Sequence, residues 1–347
     1  MKNHPHHKTF LKFFIIIVFS LWVFPGTVNA LTLTPARYEI NGNPGETLTE
    51  EIILINETSK VETYYSSFSN FEAQGESGSP AFVEPKDDLG TWMTAGEASV
   101  TLAPGQQKVV PFTIRIPENA EPGGHFAVIF FGTSPAGGGG QVAVGAKTGA
   151  LVLLSVNGDV KEEAGLLNFN TVGSKFFYNT LPVGLEYRFR NDGGDRIKPE
   201  GQIKIRNTVF LPTDYLNANP VEGNVLPNSI RKIQINWQKY EHPNTYVVPN
   251  NFFKKFWSDV YYQWKNFAVG LYSAKLDVAY GSEDIHVTKT TFFFVFPWQL
   301  VLVMLTAFVI VFFGGKVFIR RYNKYIIKKA TEGTRNGTGS PSRPSNV

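Results

Sequence analysis

The chain has 347 residues, 33 of them basic and 29 acidic, and no cysteine. That length accommodates two ordinary domains, each with its own core, and the lack of cysteine excludes a disulfide framework and thiolate metal sites. Three basic residues lie in the first thirty, and Lys316–Val347 holds eight basic residues and one acid; the middle keeps 22 basic and 28 acidic residues, net −6, which excludes a basic nucleic-acid surface.

At the start, Lys2, Lys8 and Lys12 precede the apolar run Phe13–Phe24. Pro25-Gly26 breaks it, and Val28-Asn29-Ala30 offers a small-residue cleavage site. This is the grammar of a signal peptide over residues 1–30. The run is short for a span of about 20 residues, which argues against an uncleaved anchor. A large exported region without cysteine points to a bacterial envelope, where the sequons at Asn56 and Asn336 carry no meaning.

Residues 31–158 read as strand after strand: Leu48–Ile55, Val61–Phe68, Lys108–Ile116, Phe126–Phe131 and Ala150–Val156, separated by Gly, Pro, Asn and Asp. Many short strands with such turns predict a sandwich. The stretch Asn70–Glu97 reads as an unusually long connection, and long connections are often functional. It carries Glu72, Glu76, Glu84, Asp87 and Asp88 beside Phe71, Phe82 and Trp92. Carboxylates accept sugar hydroxyl hydrogens and rings stack on sugar faces, so Phe71, Glu84, Asp87, Asp88 and Trp92 form the candidate ligand site; a solvated loop pinned by Trp92 is the plainer alternative. Paired carboxylates could also hydrolyse glycosides.

Gly124-His125-Phe126 opens the next strand as Gly270-Leu271-Tyr272 opens a later one. On that parallel His125 fills the slot of Leu271, Gly124 supplies backbone freedom, and an imidazole is not required. Gly137–Gly140 precedes a strand and lacks the Lys-Ser/Thr of a phosphate loop, so it reads as a hairpin loop.

A break near Asn157–Glu163 separates a second sandwich, residues 159–296. Its strands are Val183–Arg190, Gln202–Val209, Ile230–Trp237, Leu271–Tyr280 and Ile285–Phe296. Asp192-Gly193-Gly194-Asp195 reads as a turn without the ligands of a calcium loop. Residues 251–267 differ from everything around them. Phe253, Phe256, Trp257, Val260, Tyr261 and Trp264 recur at helical spacing on one face, with lysines opposite. Either that face caps the second sandwich, or Phe253, Phe256, Trp257, Tyr261 and Trp264, with Trp298, lie at a membrane interface. The apolar run 297–319 predicts a transmembrane helix, and the basic tail 320–347 places the C-terminus in the cytoplasm and both domains outside. The Gly/Ser/Pro-rich end of that tail reads as disordered.

Signals of catalysis are thin. There is no G-x-S-x-G elbow and no P-loop, and no two histidines beyond the signal segment have metal-ligand spacing. The expected protein is not an enzyme, and neither a cofactor nor a metal is expected.

The order of features carries a resemblance. LTLTPARYEINGNPGETLTEEIILIN is followed by TYYSSFSNF, then GTWM, then VTLAPGQQKVVPFTIRIPENAEPGGHFAVIFF, a second β domain, a single span and a basic tail. This resembles the bacterial WxL-interacting cell-surface proteins, best over Leu31–Val156. The resemblance implies an immunoglobulin-like sandwich that binds wall peptidoglycan and partner surface proteins without catalysis. It also implies a second domain that contacts host or matrix proteins. The Pro35-Ala36-Arg37 start and strand grammar are also similar to PapD-like chaperone domains. The expectation is therefore an all-β protein of two tandem immunoglobulin-like sandwiches and one transmembrane helix. Its partners are peptidoglycan and/or surface proteins, and membrane lipid, not nucleic acid. A glycan-acting enzyme using the 70–97 acids, or a chaperone-like subunit that lends a strand edge, are the alternatives.

Overall fold

The computed structural model describes residues 30–135, 147–209, 211–243 and 246–335. The signal segment up to Asn29, the Gly137–Gly140 loop and the tail beyond Arg335 lie outside the described residues. The chain divides into two compact units. The first runs to Gly165 and takes in Phe189–Lys198 and Gly223–Arg231 from later in the sequence; the second holds the rest.

In the first unit, period-2 alternation builds two facing sheets. One has the order β1–β3–β8–β6, from β1 (Leu31–Thr34), β3 (Thr47–Asn56), β8 (Gln107–Arg115) and β6 (Met93–Ala95). The other has the order β2–β10–β9–β4–β5, from β2 (Arg37–Gly42), β10 (Lys147–Val156), β9 (Gly123–Gly132), β4 (Glu62–Gln74) and β5 (Ser79–Val83), and β7 (Ser99–Leu102) also pairs with β4. Ile52, Leu54, Phe112, Ile114, Ile129, Phe131, Val152 and Leu154 fill the space between them. The second sheet is apolar on its outer face as well. There Phe71, Phe126 and Leu153 form a separate cluster with Leu151, and Leu226 from the returning segment packs on it. Such a sheet, covered on both faces, needs few polar residues along its central strands.

The buried Asn56 ties the first sheet to its loops. Its amide donates to the carbonyls of Lys60, Leu102 and Ala103 and accepts from the Thr58 N–H and the Tyr64 hydroxyl. Every polar atom of that side chain is therefore satisfied.

A three-stranded sheet has the order β11–β13–β16, from β11 (Ala164–Thr171), β13 (Val183–Asn191) and β16 (Ser229–Trp237); Leu166–Thr171, Val183–Arg188 and Lys232–Trp237 of these strands belong to the second unit. A five-stranded sheet has the order β12–β18–β17–β14–β15, from β12 (Phe177–Tyr178), β18 (Ile285–Val295), β17 (Gly270–Tyr280), β14 (Glu200–Arg206) and β15 (Pro212–Asn217). Trp237 lies at the centre of this unit, 4.9 Å from the Tyr272 ring and 5.7 Å from Phe293, and its indole N–H donates to Asp214. The protein is thus all-β, immunoglobulin-like in its sandwiches, with one long apolar helix after β18. That helix runs from Trp298 to Arg335, and among the described residues it is the one helix long and apolar enough to cross a membrane.

Two expectations need correction. Asn70–Glu97 is not a bare connection: β4 continues to Gln74, β5 turns back along it, and helix α1 (Leu89–Trp92) leads into β6. Register also shifts the parallel drawn for His125. The positive φ belongs to Gly123 (121°), not Gly124, and in the second unit to Gly270 (104°). Counting two residues on from each, His125 corresponds to Tyr272, not Leu271. Both are rings with polar handles at the end of a sandwich: Tyr272 accepts the Val269 N–H through its hydroxyl, while His125 makes two contacts of its own.

Candidate functional site

The acids of the 70–97 segment gather because Asn70 clamps their loop. Its buried amide donates to the Asp87 carbonyl at 2.7 Å and accepts the Gly90 N–H at 2.7 Å. Asp88, at φ 68°, precedes α1 and accepts from both the backbone and the hydroxyl of Thr91. Glu72, Glu84, Asp87 and Asp88 then line one open concavity together with Lys86, Val83, Asn70 and Phe71. Four carboxylates against one ammonium leave the concavity net acidic, an arrangement that complements hydroxyl, amide or amine donors.

The expected aromatic platform does not form there. Phe71 is 5% exposed, its ring 5.8 Å from Phe126 in the outer-face cluster, so it walls the concavity instead of offering a free face. Trp92 sits apart, packed against the sandwich core with its ring 4.7 Å from His125. The structure therefore brings Phe71, Glu84, Asp87 and Asp88 together and leaves Trp92 outside. Glu72, Asn70 and Lys86 join the site through strand pairing and the Asn70 clamp.

His125 holds the loop from behind. Nδ1 meets the Asp88 carboxylate, and Nε2 lies 2.8 Å from the Glu121 carbonyl. Burial works to lower its pKa, but the bonds to Asp88 and Glu121 and the charges of Asp88 and Asp195 outweigh it and raise the value. Because both ring nitrogens are occupied, this imidazole is a latch and not a free base. Among the described residues no group of three or more His, Cys, Asp or Glu is placed to hold a metal.

A second pocket lies on the same sheet of the first unit. Phe71, Leu151, Leu153 and Leu226 wall it, and Arg37 and Arg231 stand at its rim. Arg231 donates to the Asn224 carbonyl, and a Cβ at Gly78 or Gly223 would collide with its guanidinium. Beside it, Glu39 joins Arg37, Lys198 and the Asn224 amide. Burial would raise the Glu39 pKa, but these partners together lower it. The returning segments supply Asn224, Leu226 and Arg231 to the pocket and Lys198 beside it, so no local motif announces it. In the Asn191–Asp195 turn, Asp192 pairs with Arg190 and Asp195 accepts the Arg196 N–H.

No family model matches the sequence, and a comparison with curated proteins finds no match. Solved structures that it is similar to include the class 5 fimbriae chaperone CfaA, at 11% identity over 76% of this chain and 99% of that one, with a TM-score of 0.35. Another is the CsuC–CsuE chaperone–tip adhesion subunit pre-assembly complex from archaic chaperone-usher Csu pili of Acinetobacter baumannii, at 10% identity over 76% and 98%, with a TM-score of 0.35. A third is the E. coli chaperone DraB, at 12% identity over 76% and 96%, with a TM-score of 0.32.

Proposed function

We propose that this chain is a membrane-anchored, non-catalytic binding protein of a bacterial envelope, and that its first unit holds wall peptidoglycan. The observation that supports this reading most is the concavity in which Glu72, Glu84, Asp87 and Asp88 converge around a single lysine. Glycan strands offer hydroxyl and amide hydrogens, and stem peptides carry a free diamino-acid amine; both complement an excess of carboxylates. The reading is non-catalytic because the neighbouring imidazole, His125, is bonded at both nitrogens. The long helix from Trp298 serves as the anchor, with Lys316, Arg320 and Arg321 on the cytoplasmic side. A photoreactive side chain in place of Lys86, at the rim, tests this in cells of a wall-bearing host. Crosslinking to wall fragments is expected, and crosslinking to proteins alone would overturn the peptidoglycan reading.

A second reading, a chaperone-like subunit that pairs a strand with partner surface proteins, has its own support. β12 pairs with β18 only at Phe294 and Val295. The Phe294 N–H donates outward to the Phe176 carbonyl, so by alternation His286, Thr288, Thr290 and Phe292 direct their backbone groups to the same side, past the end of β12. Such an edge accepts an added strand. Thr288→Pro would remove one of its donors, and partner capture lost in that variant, with melting unchanged, would favour this reading.

A further inference from the structure

Helix α2 (Phe252–Lys265) buries the stripe that polarity would leave in water. Gln263, 2% exposed, accepts the Leu300 N–H at 3.0 Å and donates to the Gln299 side chain. Leu300 lies in the first turn of α3 (Trp298–Arg335), where backbone N–H groups lack helical partners, so α2 caps the root of the apolar helix. Phe256 packs toward Trp298, with ring centroids 6.4 Å apart, and Val260 is buried. At the far end the buried Asn266 accepts the Lys239 and Tyr240 N–H groups. The helix is fixed on both sides.

The stripe left outside is aromatic. Phe253, Trp257, Tyr261 and Trp264 are each more than half exposed, and Lys254 and Lys265 flank them. This corrects two sequence expectations: the rings do not cap the sandwich, and Phe256 does not share their face.

The depth of this stripe follows from α3. Apart from Gln299, Thr306 and Lys316, α3 is apolar from Trp298 to Ile319, and Arg320 and Arg321 follow. At about 1.5 Å per residue that run spans about 33 Å, against a hydrocarbon core of about 30 Å. It has little length to spare, so the hydrocarbon begins within about a turn of Trp298, the level at which Gln263 grips Leu300.

We propose that α2 is an in-plane interfacial helix. Its ring stripe occupies the headgroup layer of the bilayer that α3 crosses, and Lys254 and Lys265 meet anionic lipid. The second unit is thereby held against the membrane at two points. The proposal rests on the reading of α3 as the anchor.

The absence of cysteine makes the test direct. Trp257→Cys, Trp264→Cys and, as an aqueous control in the turn at the opposite end of β17 and β18, Glu283→Cys each accept one NBD label. The full chain is reconstituted in phosphatidylcholine vesicles with and without phosphatidylglycerol. Labels at 257 and 264 are expected to emit at shorter wavelength than the label at 283. They should be quenched by lipid spin-labelled near its headgroup and shielded from iodide. If they match the label at 283 while the chain floats with the vesicles, the interfacial helix is overturned and the anchor survives. If a carbonate wash removes the chain from the vesicles, the anchor reading fails and the proposal falls with it. Equal lipid quenching with and without phosphatidylglycerol would overturn the role given to the lysines.

Discussion

Replacing His125 by phenylalanine probes the latch behind the acidic concavity. The side chain is 13% exposed, and the substitution keeps the ring against Trp92 but removes the contacts to Asp88 and the Glu121 carbonyl. A hydrogen bond to a charged partner contributes about 1.5–3 kcal/mol and a neutral one about 1 kcal/mol. Asp88 is partly exposed and regains water, so the sum is discounted to about 2 kcal/mol. For a unit of roughly 150 residues this lowers the melting temperature by about 4–8 °C. The loss depends on pH. The folded pKa of His125 is raised above the ordinary value of about 6.5, so its contribution is full below that value and fades as pH rises through the folded pKa. Thermal melts of the detergent-solubilised chain and its His125→Phe variant, across pH 5.5 to 9 (about one unit beyond the ordinary value on the acid side), measure the difference. The gap should narrow toward alkaline pH. A gap that is constant or widens would refute the reasoning, and no gap at acid pH would restore the view that the imidazole is dispensable.

Gly123→Ala should destabilise the first unit by about 2–3 kcal/mol, because a Cβ there meets the Gly194 carbonyl oxygen at 2.5 Å from a backbone at φ 121°; urea unfolding checks this. Asn56→Leu leaves buried carbonyls and the Tyr64 hydroxyl without their partner and should cost about 3–5 kcal/mol, read as a loss of folded protein on expression. The same burial means that the sequon at Asn56 stays unmodified if the folded chain meets a glycosyltransferase, which intact-mass measurement would show. Glu39→Gln should weaken the first unit at neutral pH. Because the Glu39 pKa is lowered in the fold, the native carboxylate contributes above its unfolded value of about 4.3 and loses that contribution as pH falls through the folded value, so the wild-type and variant melts converge in acid.

Alternation made most strands readable. Val183–Arg190 and Leu271–Tyr280 stand within a residue of β13 and β17, and Ile285–Phe296 within one of β18. What escaped were features set by distant contacts. The return of Phe189–Lys198 and Gly223–Arg231 to the first unit leaves no periodic trace, because Leu226 and Arg231 acquire meaning only against Phe71 and Gly78. Helical spacing located α2 but not the stripe it buries. Gln263 and Asn266 go inward because each finds hydrogen-bond partners there, which overrides the polarity pattern. The acids of the 70–88 stretch were visible as composition, while their convergence depends on the clamp at Asn70.

The proposed function is tested most directly by sedimentation with insoluble peptidoglycan. The full chain in lipid nanodiscs is compared with a Glu72→Gln, Glu84→Gln, Asp87→Asn variant, three exposed rim carboxylates made neutral without change of shape. Wild type should pellet with the wall and be released by salt, and the variant should stay in the supernatant with its melting temperature intact. Wild-type retention no greater than that of empty nanodiscs, or equal retention of both chains, would contradict the assignment of the acidic concavity as the wall-binding site.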